Sequence, residues 1–204
     1  MLGERLGKMR ELFEHHGVLP LRDRVVLDVG CGHGTDLERL VNWGARPENM
    51  HGVDASRERI GVARTSHPQM KFECISAAEL PFPGAHFDLV LMCTLMTSVL
   101  DERVATGIAN AVTRVLKPGG HILWYDFRYE SITNRRTRAV RKNDIFRYFP
   151  SFDADFRTIT LLPPMARRLG PLTSVLYPIL NSIPFLRTHY MAILTKPQAA
   201  ERAA

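Results

Sequence analysis

Five short apolar segments alternate with helical patterns along the first two thirds of the chain. The segments are rich in branched or aromatic residues, as β-strands are, and they are Val25–Val29, Met50–Val53, Lys71–Ile75, Phe87–Cys93 and His121–Phe127. Helical patterns occupy three of the intervals, at Asp36–Trp43, Arg57–Ser66 and Glu102–Leu116. Because parallel strands need crossover connections of this kind, the alternation predicts an α/β fold with a parallel sheet covered on both faces.

The first strand runs into three alternating glycines, Gly30, Gly32 and Gly34. Sheets of this kind bind ligands at the carboxyl ends of their strands, and a missing Cβ lets a ligand approach the backbone. A dinucleotide loop, G-x-G-x-x-G, would have its third glycine at Thr35 and a pyrophosphate over the helix amino terminus. Asp28 would place a negative charge beside that pyrophosphate. The loop therefore favours a ligand with a positive end.

An acid followed by G-x-G-x-G resembles the first motif of the class I S-adenosylmethionine-dependent methyltransferases of the bacterial small-molecule type. S-adenosyl-L-methionine carries an ammonium group and a sulfonium but no phosphate, so it suits this loop. The resemblance implies a Rossmann-like, doubly wound sheet of seven strands, mostly parallel, with a terminal antiparallel strand and an insertion before it. The candidates for the final antiparallel pair are Arg157–Leu162 and His189–Thr195.

Later segments resemble further motifs of the same family. Asp54 closes the second strand in "MHGVDAS", where a carboxylate accepts hydrogen bonds from ribose hydroxyls; the alternative role, a helix cap, is already available from Ser56. Many relatives hold the adenine amino group with an Asp after the third strand, but here Ser76 takes that place, so backbone amides would carry more of the recognition. The cofactor-binding residues implied in this way are Asp28, Gly30, Cys31, Gly32, Gly34, Asp54, Ala55, Ser76, Ala77 and Cys93.

Asp126, in "WYDFRYES" where the chain leaves the fifth strand, is the candidate catalytic residue. The methyl group on a sulfonium is already activated, so the protein must align a nucleophile and, where needed, accept its proton. Asp126 would be that base or a substrate-orienting carboxylate; capping the turn or pairing with Arg128 is an equally good interpretation. No metal is expected, because the three cysteines and the histidines show no ligand spacing.

Positive charge is concentrated in the second half of the chain. From Phe127 to Lys196 there are 12 Lys and Arg against 4 Asp and Glu, although the whole chain has a net charge of +6. A solvated surface explains this, as does attraction to an acidic substrate, nucleic acid or an anionic membrane. We expect one methyltransferase domain, 1–204, with an amino-terminal helical cover (1–24), a cofactor-binding core (25–127) and a substrate-side half (128–204). The last part would contain the insertion at about 163–187, either a lid or a membrane contact.

The predicted function is methyl transfer to oxygen or nitrogen of a small molecule, with an acidic, sugar or lipid-linked metabolite as the candidate substrate. A nucleic-acid methyltransferase is less favoured, because no N-P-P-Y-like stretch ends the fourth strand and stacking aromatics are sparse. A non-catalytic cofactor-binding scaffold is a further alternative, and a nicotinamide oxidoreductase is last because of Asp28 and Thr35. With no signal-peptide pattern and no apolar run of roughly 18 residues, we expect a cytoplasmic protein. Peripheral membrane contact and the oligomeric state stay open.

Overall fold

A computed structural model describes residues 2–130, 137–161 and 187–198 of the chain. The strands are β1 (Val26–Val29), β2 (Met50–Asp54), β3 (Lys71–Cys74), β4 (Phe87–Cys93), β5 (Leu116–Phe127), β6 (Asp153–Leu161) and β7 (Arg187–Thr195). The helices are α1 (Leu2–His15), α2 (Thr35–Asn42), α3 (Arg57–Ser66), α4 (Glu102–Val115) and α5 (Lys142–Tyr148), with single 3-10 turns at Pro47–Asn49 and Met96–Ser98.

The seven strands form one sheet in the order β3-β2-β1-β4-β5-β7-β6. Strands β1 to β5 pair in parallel, and β7 runs antiparallel to both β5 and β6. The predicted fold class is therefore confirmed. The strand order reverses at β1, which pairs with β2 on one side and β4 on the other. Such a switch point opens a crevice outside the carboxyl ends of the strands.

Both faces of the sheet are covered by helices, as the near-continuous apolar strands require. Alternate residues of β4 enter different cores: Leu89 and Leu91 pack on the side of α1, α2 and α3, whereas Val90 and Met92 pack on the side of α4 and α5. Helix α1 is part of the first core through Met9, Leu12 and Phe13, each at most 1% exposed. The amino-terminal helix is thus an integral layer of the fold.

The segment "KPGG" at 117–120 is part of β5, although Pro and Gly favour a turn. Gly119 has a φ of +71°, and the register with β4 shifts between Phe87 and Leu89, so the four residues form an irregularity within the strand. The strand continues through them because the Gly119 amide donates to the Lys196 carbonyl (2.9 Å) and the Lys196 amide donates to the Gly120 carbonyl (2.9 Å). Tertiary pairing has overridden local turn preference here.

Other boundaries differ from prediction by one residue or a few. Strand β6 begins at Asp153 and β7 at Arg187, both earlier than predicted, because their antiparallel ladder is longer than the apolar pattern. Helix α5 was not predicted; the Asp144 carboxylate accepts from the Arg141 amide at its start (2.9 Å). The predicted insertion lies outside the described residues except for Arg187, which opens β7. None of the described helices is long and apolar enough to cross a membrane.

Candidate functional site

The glycine loop lies at the switch point of the sheet. The Gly30 and Cys31 amides both donate to the Val53 carbonyl, at 2.8 and 3.0 Å, and this ties the loop to the end of β2. Gly30, Gly32 and Gly34 all have positive φ, at 79°, 55° and 81°, a region that side chains other than glycine rarely adopt. The alternating glycines therefore create the tight path of the backbone from β1 into α2.

The three glycines meet different surroundings. A Cβ on Gly34 would lie 2.7 Å from the Phe72 ring, and one on Gly30 would lie 3.0 Å from the Leu95 side chain. A Cβ on Gly32 would meet no atom within 4 Å; the Gly32 amide donates to Asp54 Oδ2 (3.0 Å). Gly34 thus permits close packing between the start of α2 and the Phe72 ring. From the sequence, this glycine was expected to let a ligand approach the backbone.

A first cleft of about 330 Å³ opens between the ends of β1, β2, β3 and β4. Six of the ten predicted cofactor-binding residues line it: Gly30, Asp54, Ala55, Ser76, Ala77 and Cys93. Apolar side chains from the far wall, among them Val99 and Ile108, complete it. Its volume is in the range of small-molecule sites, and a largely apolar wall with a few polar groups is typical of them. We call it the β2-side cleft.

Asp54 is the acidic group of the β2-side cleft and is 8% exposed, and Arg59, which also lines the cleft, lies 3.8 Å from its Oδ2. Its Oδ2 accepts from the Gly32 amide and its Oδ1 from the Ser56 amide (2.8 Å). Ser56 Oγ in turn caps α3 by accepting from the Arg59 amide (3.3 Å). Each carboxylate oxygen has a second lone pair, so Asp54 can hold the loop and still accept hydrogen bonds from two hydroxyl groups.

A second cleft of about 310 Å³ lies on the other side of the glycine loop, and we call it the α1-side cleft. Four predicted residues line it, Asp28, Gly30, Cys31 and Cys93, together with Arg5, Asp36 and Tyr125. Gly30, Cys93 and Thr94 line both clefts. The two spaces therefore meet at the junction between the ends of β1 and β4.

Arg5 brings a positive charge from α1 into the α1-side cleft. Its guanidinium pairs with Asp36 Oδ2 (2.5 Å) and lies over the Tyr125 ring, 4.6 Å from the centroid. The Arg5 Nε is buried and has no hydrogen-bond partner among the described residues. A buried donor without a partner is costly, and this one borders a cleft that could hold an acceptor.

Asp28 stands across the same cleft and is 3% exposed. Burial, with a smaller contribution from Asp36, raises the pKa of Asp28 well above its usual range, and the charge of Arg5 opposes the rise. Burial also raises the pKa values of Cys31 and Cys93. Both thiols are therefore neutral lining groups, and an incoming cation would meet Asp28 as its counter-ion.

Arg5 and Thr94 line the α1-side cleft but are not among the residues predicted from the sequence. Arg5 lies far from the motifs along the chain, and only the packing of α1 brings it to the glycine loop. Thr94 has a φ of +53°, which is uncommon outside glycine and clusters at functional sites. Its amide donates to the Tyr125 carbonyl (2.6 Å). The position of Thr94 directly after an apolar strand is the one feature of the sequence that could have indicated its role.

Asp126 lies on the opposite face of β5 from Tyr125 and is 1% exposed. Its Oδ2 accepts from the Thr97 amide (3.0 Å) and its Oδ1 from the Phe127 amide (2.9 Å). Burial raises the pKa of Asp126 to about 6, and the hydrogen bonds from Thr97 and Phe127 oppose the rise. Asp126 lines neither cleft. This placement favours the turn-capping alternative over the base, and the carboxylate braces the turn after β4.

Three potential metal ligands lie together at the end of α1. His15, His16 and Asp155 place their donor atoms within 4.8 Å of one another. His16 Nε2 and Asp155 Oδ2 are 3.1 Å apart, and Arg157 pairs with the other oxygen of Asp155. Arg157 holds one oxygen of the Asp155 carboxylate and His16 contacts the other, so the cluster links the end of α1 to β6.

Comparisons with known proteins agree with this architecture. Residues 26–120 match a methyltransferase domain family. The chain is 37% identical over 105 residues to a fatty-acid O-methyltransferase of Mycolicibacterium smegmatis, which is 50% of this chain and 37% of that protein. It is 23% identical over 196 residues to a ubiquinone biosynthesis O-methyltransferase of Agrobacterium fabrum, covering 89% of this chain and 76% of that protein. For several further methyltransferase relatives the chain covers about two fifths of the relative's length.

Among solved structures, a SAM-dependent methyltransferase from Methanosarcina mazei matches with a TM-score of 0.67 and 21% identity, covering 91% of this chain and 97% of that one. At this identity the match shows the fold. The residues present also fit the family's cofactor: Arg5 has a buried, unpartnered Nε beside the buried Asp28, and Asp54 keeps lone pairs toward the adjoining cleft. The match over residues 26–120 and the strand order together support a class I S-adenosylmethionine-dependent methyltransferase, and the structural match shows the same fold.

Proposed function

We propose that this protein transfers the methyl group of S-adenosylmethionine to an oxygen atom of a small molecule. The observation that carries the proposal is the meeting of two clefts at Gly30, Cys93 and Thr94, with a buried carboxylate in each, Asp28 and Asp54. Oxygen as the acceptor is supported by two of the matched relatives, the fatty-acid O-methyltransferase and the ubiquinone biosynthesis O-methyltransferase.

The β2-side cleft would hold the adenosine part of the cofactor. Asp54 accepts hydrogen bonds from the two ribose hydroxyls through the lone pairs that Gly32 and Ser56 leave unused. Ser76 and Ala77 border the space for the adenine ring. The apolar wall formed by Val99 and Ile108 excludes water from the ring faces.

The α1-side cleft would hold the amino-acid part. Asp28 is the counter-ion for the ammonium group, and the Arg5 guanidinium binds the carboxylate. When bound, the cofactor supplies a methyl group activated by its sulfonium, and the protein's contribution is to position the acceptor in line with it. Cys93 and Thr94 border both clefts and so lie beside that methyl group.

The domain division follows from these assignments and is part of the proposal. Residues 1–24 form the cover that delivers Arg5, residues 25–127 hold the cofactor, and residues 128–204 form the substrate side, with an insertion at about 163–187. A cytoplasmic location is part of the same proposal, as the sequence predicted.

Calorimetry tests the cofactor assignment. S-adenosylmethionine and S-adenosylhomocysteine should bind, and NAD should not. Asp54→Asn should weaken binding of both adenosyl ligands by about 1 to 3 kcal/mol, because a hydrogen bond to a charged acceptor is lost. Asp23→Asn, at a mostly exposed carboxylate paired with Arg46, is the matched control and should bind like the unmodified protein.

Transfer is tested with a methyl-labelled cofactor and a panel of hydroxylated and carboxylated small molecules, with label recovered as a methyl ether or ester. NAD binding without binding of either adenosyl ligand would refute the cofactor assignment. Cofactor binding with label recovered only on nitrogen would refute the O-methyl assignment.

A further inference from the structure

A third cleft, of about 630 Å³, lies beyond the carboxyl end of β5 and plays no part in the cofactor assignment. Residues after β5 and at the start of α5 form its walls, and Tyr190 of β7 forms its floor. Both walls are fixed to the sheet: the Arg128 amide donates to the Thr188 carbonyl (3.0 Å), and the Val140 amide donates to the Phe127 carbonyl (2.9 Å). We call this space the β5 cleft.

The charge in the β5 cleft is unbalanced. Arg128, Arg141 and Lys142 line it against one acid, Glu130. Neither Arg141 nor Lys142 has an ion pair to a carboxylate among the described residues. Cations held together without a counter-ion repel one another, and an anion placed between them removes that cost.

Two neighbouring cations in the described part of the same half, Arg138 and Arg147, are neutralised by carboxylates. Arg138 pairs with Glu102 (2.9 Å), and Arg147 pairs with both Glu102 (2.8 Å) and Asp144 (3.1 Å). Asp144 also accepts from the Arg141 amide. The nearby carboxylates are thereby engaged away from the cleft. This distinguishes the β5 cleft from an ordinary solvated surface, on which charges of both signs alternate.

Aromatic rings hold two of the cations in place. The Arg128 guanidinium carbon lies 4.6 Å from the Tyr129 ring centroid and 5.0 Å from that of Tyr190. Lys142 Nζ lies 4.7 Å from the Phe156 ring and 5.7 Å from Tyr190. Two cations on one tyrosine ring form a pre-arranged pair, and pre-arrangement lowers the entropic cost of binding a ligand.

The β5 cleft is close to the place of methyl transfer. Tyr190 pairs with Asp126 and so lies on the face of the sheet opposite Tyr125, but the β5 cleft and the α1-side cleft open at the same carboxyl edge of β5. From Tyr125 to Arg128 is three residues, about 10 Å of extended chain. A small molecule could therefore place one end in the β5 cleft and the other beside Cys93 and Thr94.

We infer that the β5 cleft binds the carboxylate or phosphate group of the methyl acceptor, so that the enzyme selects acceptors that carry an anionic group. The identification of the ligand as the methyl acceptor rests on the proposed function, whereas the anion site itself does not. Arg141 and Lys142 supply the charge, and Tyr129 and Tyr190 border the space for the body of the ligand.

Matched pairs of probes test the anion site by amide chemical-shift perturbation in the full chain. The pairs are octanoate with octanamide for a carboxylate, and phenyl phosphate with phenol for a phosphate. We expect saturable shifts at residues 128–130 and 139–143 with at least one of the anions and with neither neutral partner. Arg141→Gln with Lys142→Met should weaken the binding at least about tenfold, or about 1.4 kcal/mol. The control, Arg22→Gln with Lys71→Met, removes the same charge from two exposed positions and should have no such effect.

Equal binding of neutral and anionic partners, no shift with any soluble anion, or an equal loss in the control variant would each overturn the inference. Co-sedimentation with phosphatidylglycerol vesicles without a response to soluble anions would do so as well, and would favour a membrane surface. Calorimetry with S-adenosylmethionine separates the two proposals. If the cofactor binds and the anions do not, only the anion site fails; if the anions bind and the cofactor does not, the proposed function fails.

Discussion

The guanidinium of Arg5 lies over the ring of Tyr125, 4.6 Å from its centroid, although one residue is in the first helix and the other near the end of β5. The His189 ring stacks on Tyr125 at 4.6 Å with an interplanar angle of 3°. Since both groups lie over one ring, they occupy its two faces. The amino-terminal helix and the two strands are therefore joined at the α1-side cleft.

Arg5→Met should weaken binding of S-adenosylmethionine by at least about tenfold, because a hydrogen bond to a charged group is worth about 1.5 to 3 kcal/mol. Decarboxylated S-adenosylmethionine should bind the variant and the unmodified protein equally, since it has no carboxylate for Arg5. Calorimetry measures both. Arg10→Met, at an exposed residue of the same helix that pairs with Glu14, is the control and should change neither affinity. Equal losses of affinity for the two ligands would mean that Arg5 stabilises the fold and does not bind the cofactor carboxylate.

Binding of the cofactor should release a proton from Asp28. Burial holds the pKa of Asp28 well above its usual range, and an ammonium group beside the carboxylate favours its ionised form. The binding enthalpy should therefore vary with the ionisation enthalpy of the buffer, in the direction of proton release, and Asp28→Asn should abolish that variation. A buffer-independent enthalpy in the unmodified protein would contradict the counter-ion role.

Asp126→Asn should change the pH dependence of stability. The pKa of Asp126 is raised to about 6 in the folded state, above its value of about 3.9 when unfolded, so between these values the folded state holds the proton more tightly. Stability from this group is present at low pH and is lost as the pH rises through this window. Relative to the variant, the unmodified protein should lose about 2 kcal/mol of unfolding free energy between about pH 4 and pH 7.5. Urea unfolding measures it.

The same variant distinguishes a general-base role of Asp126 from a purely structural role. If Asp126 only holds the Thr97 amide, Asp126→Asn should keep the shape of the pH profile of kcat and lower its level modestly. A loss of kcat of about a hundredfold or more, with a change in the pH profile, is the result expected of a general base and would restore the catalytic assignment.

Gly34→Ala should destabilise the fold more than Gly32→Ala. Both positions have positive φ, which costs a residue with a Cβ about 1 to 2 kcal/mol. The new methyl group at position 34 would also lie 2.7 Å from the buried Phe72 ring, whereas the one at position 32 would meet nothing within 4 Å. Thermal unfolding of the two variants compares them directly. Equal destabilisation would mean that backbone strain alone explains both glycines.

Local patterns were sufficient to predict the sheet and half of the site. The residues of the glycine loop and Asp54 follow strands directly, and the carboxyl ends of parallel strands always meet at one edge of the sheet. Eight of the ten predicted cofactor-binding residues accordingly line the two clefts, the exceptions being Gly32 and Gly34. The assignment of these residues to the cofactor stays a prediction until binding is measured.

Local patterns were not sufficient for Asp126 or for the basic residues of the second half. Asp126 is next to the cleft-lining Tyr125 in β5. Side chains of a strand alternate between faces, and the Asp126 side chain is buried against the turn at Thr97. Arg138 and Arg141 look alike in the sequence. One is neutralised by Glu102, and the other borders the β5 cleft.

The sequence by itself determined the α/β alternation, the strand edge at which a ligand binds and the acid and glycines that shape it, because these depend on periodicity and on neighbours along the chain. Only the tertiary structure decided that Arg5 reaches the glycine loop, that Asp126 faces a turn, and that Arg141 and Lys142 have no carboxylate partner among the described residues. These facts depend on distances between residues far apart in sequence, and such distances are set by the packing of whole helices and strands.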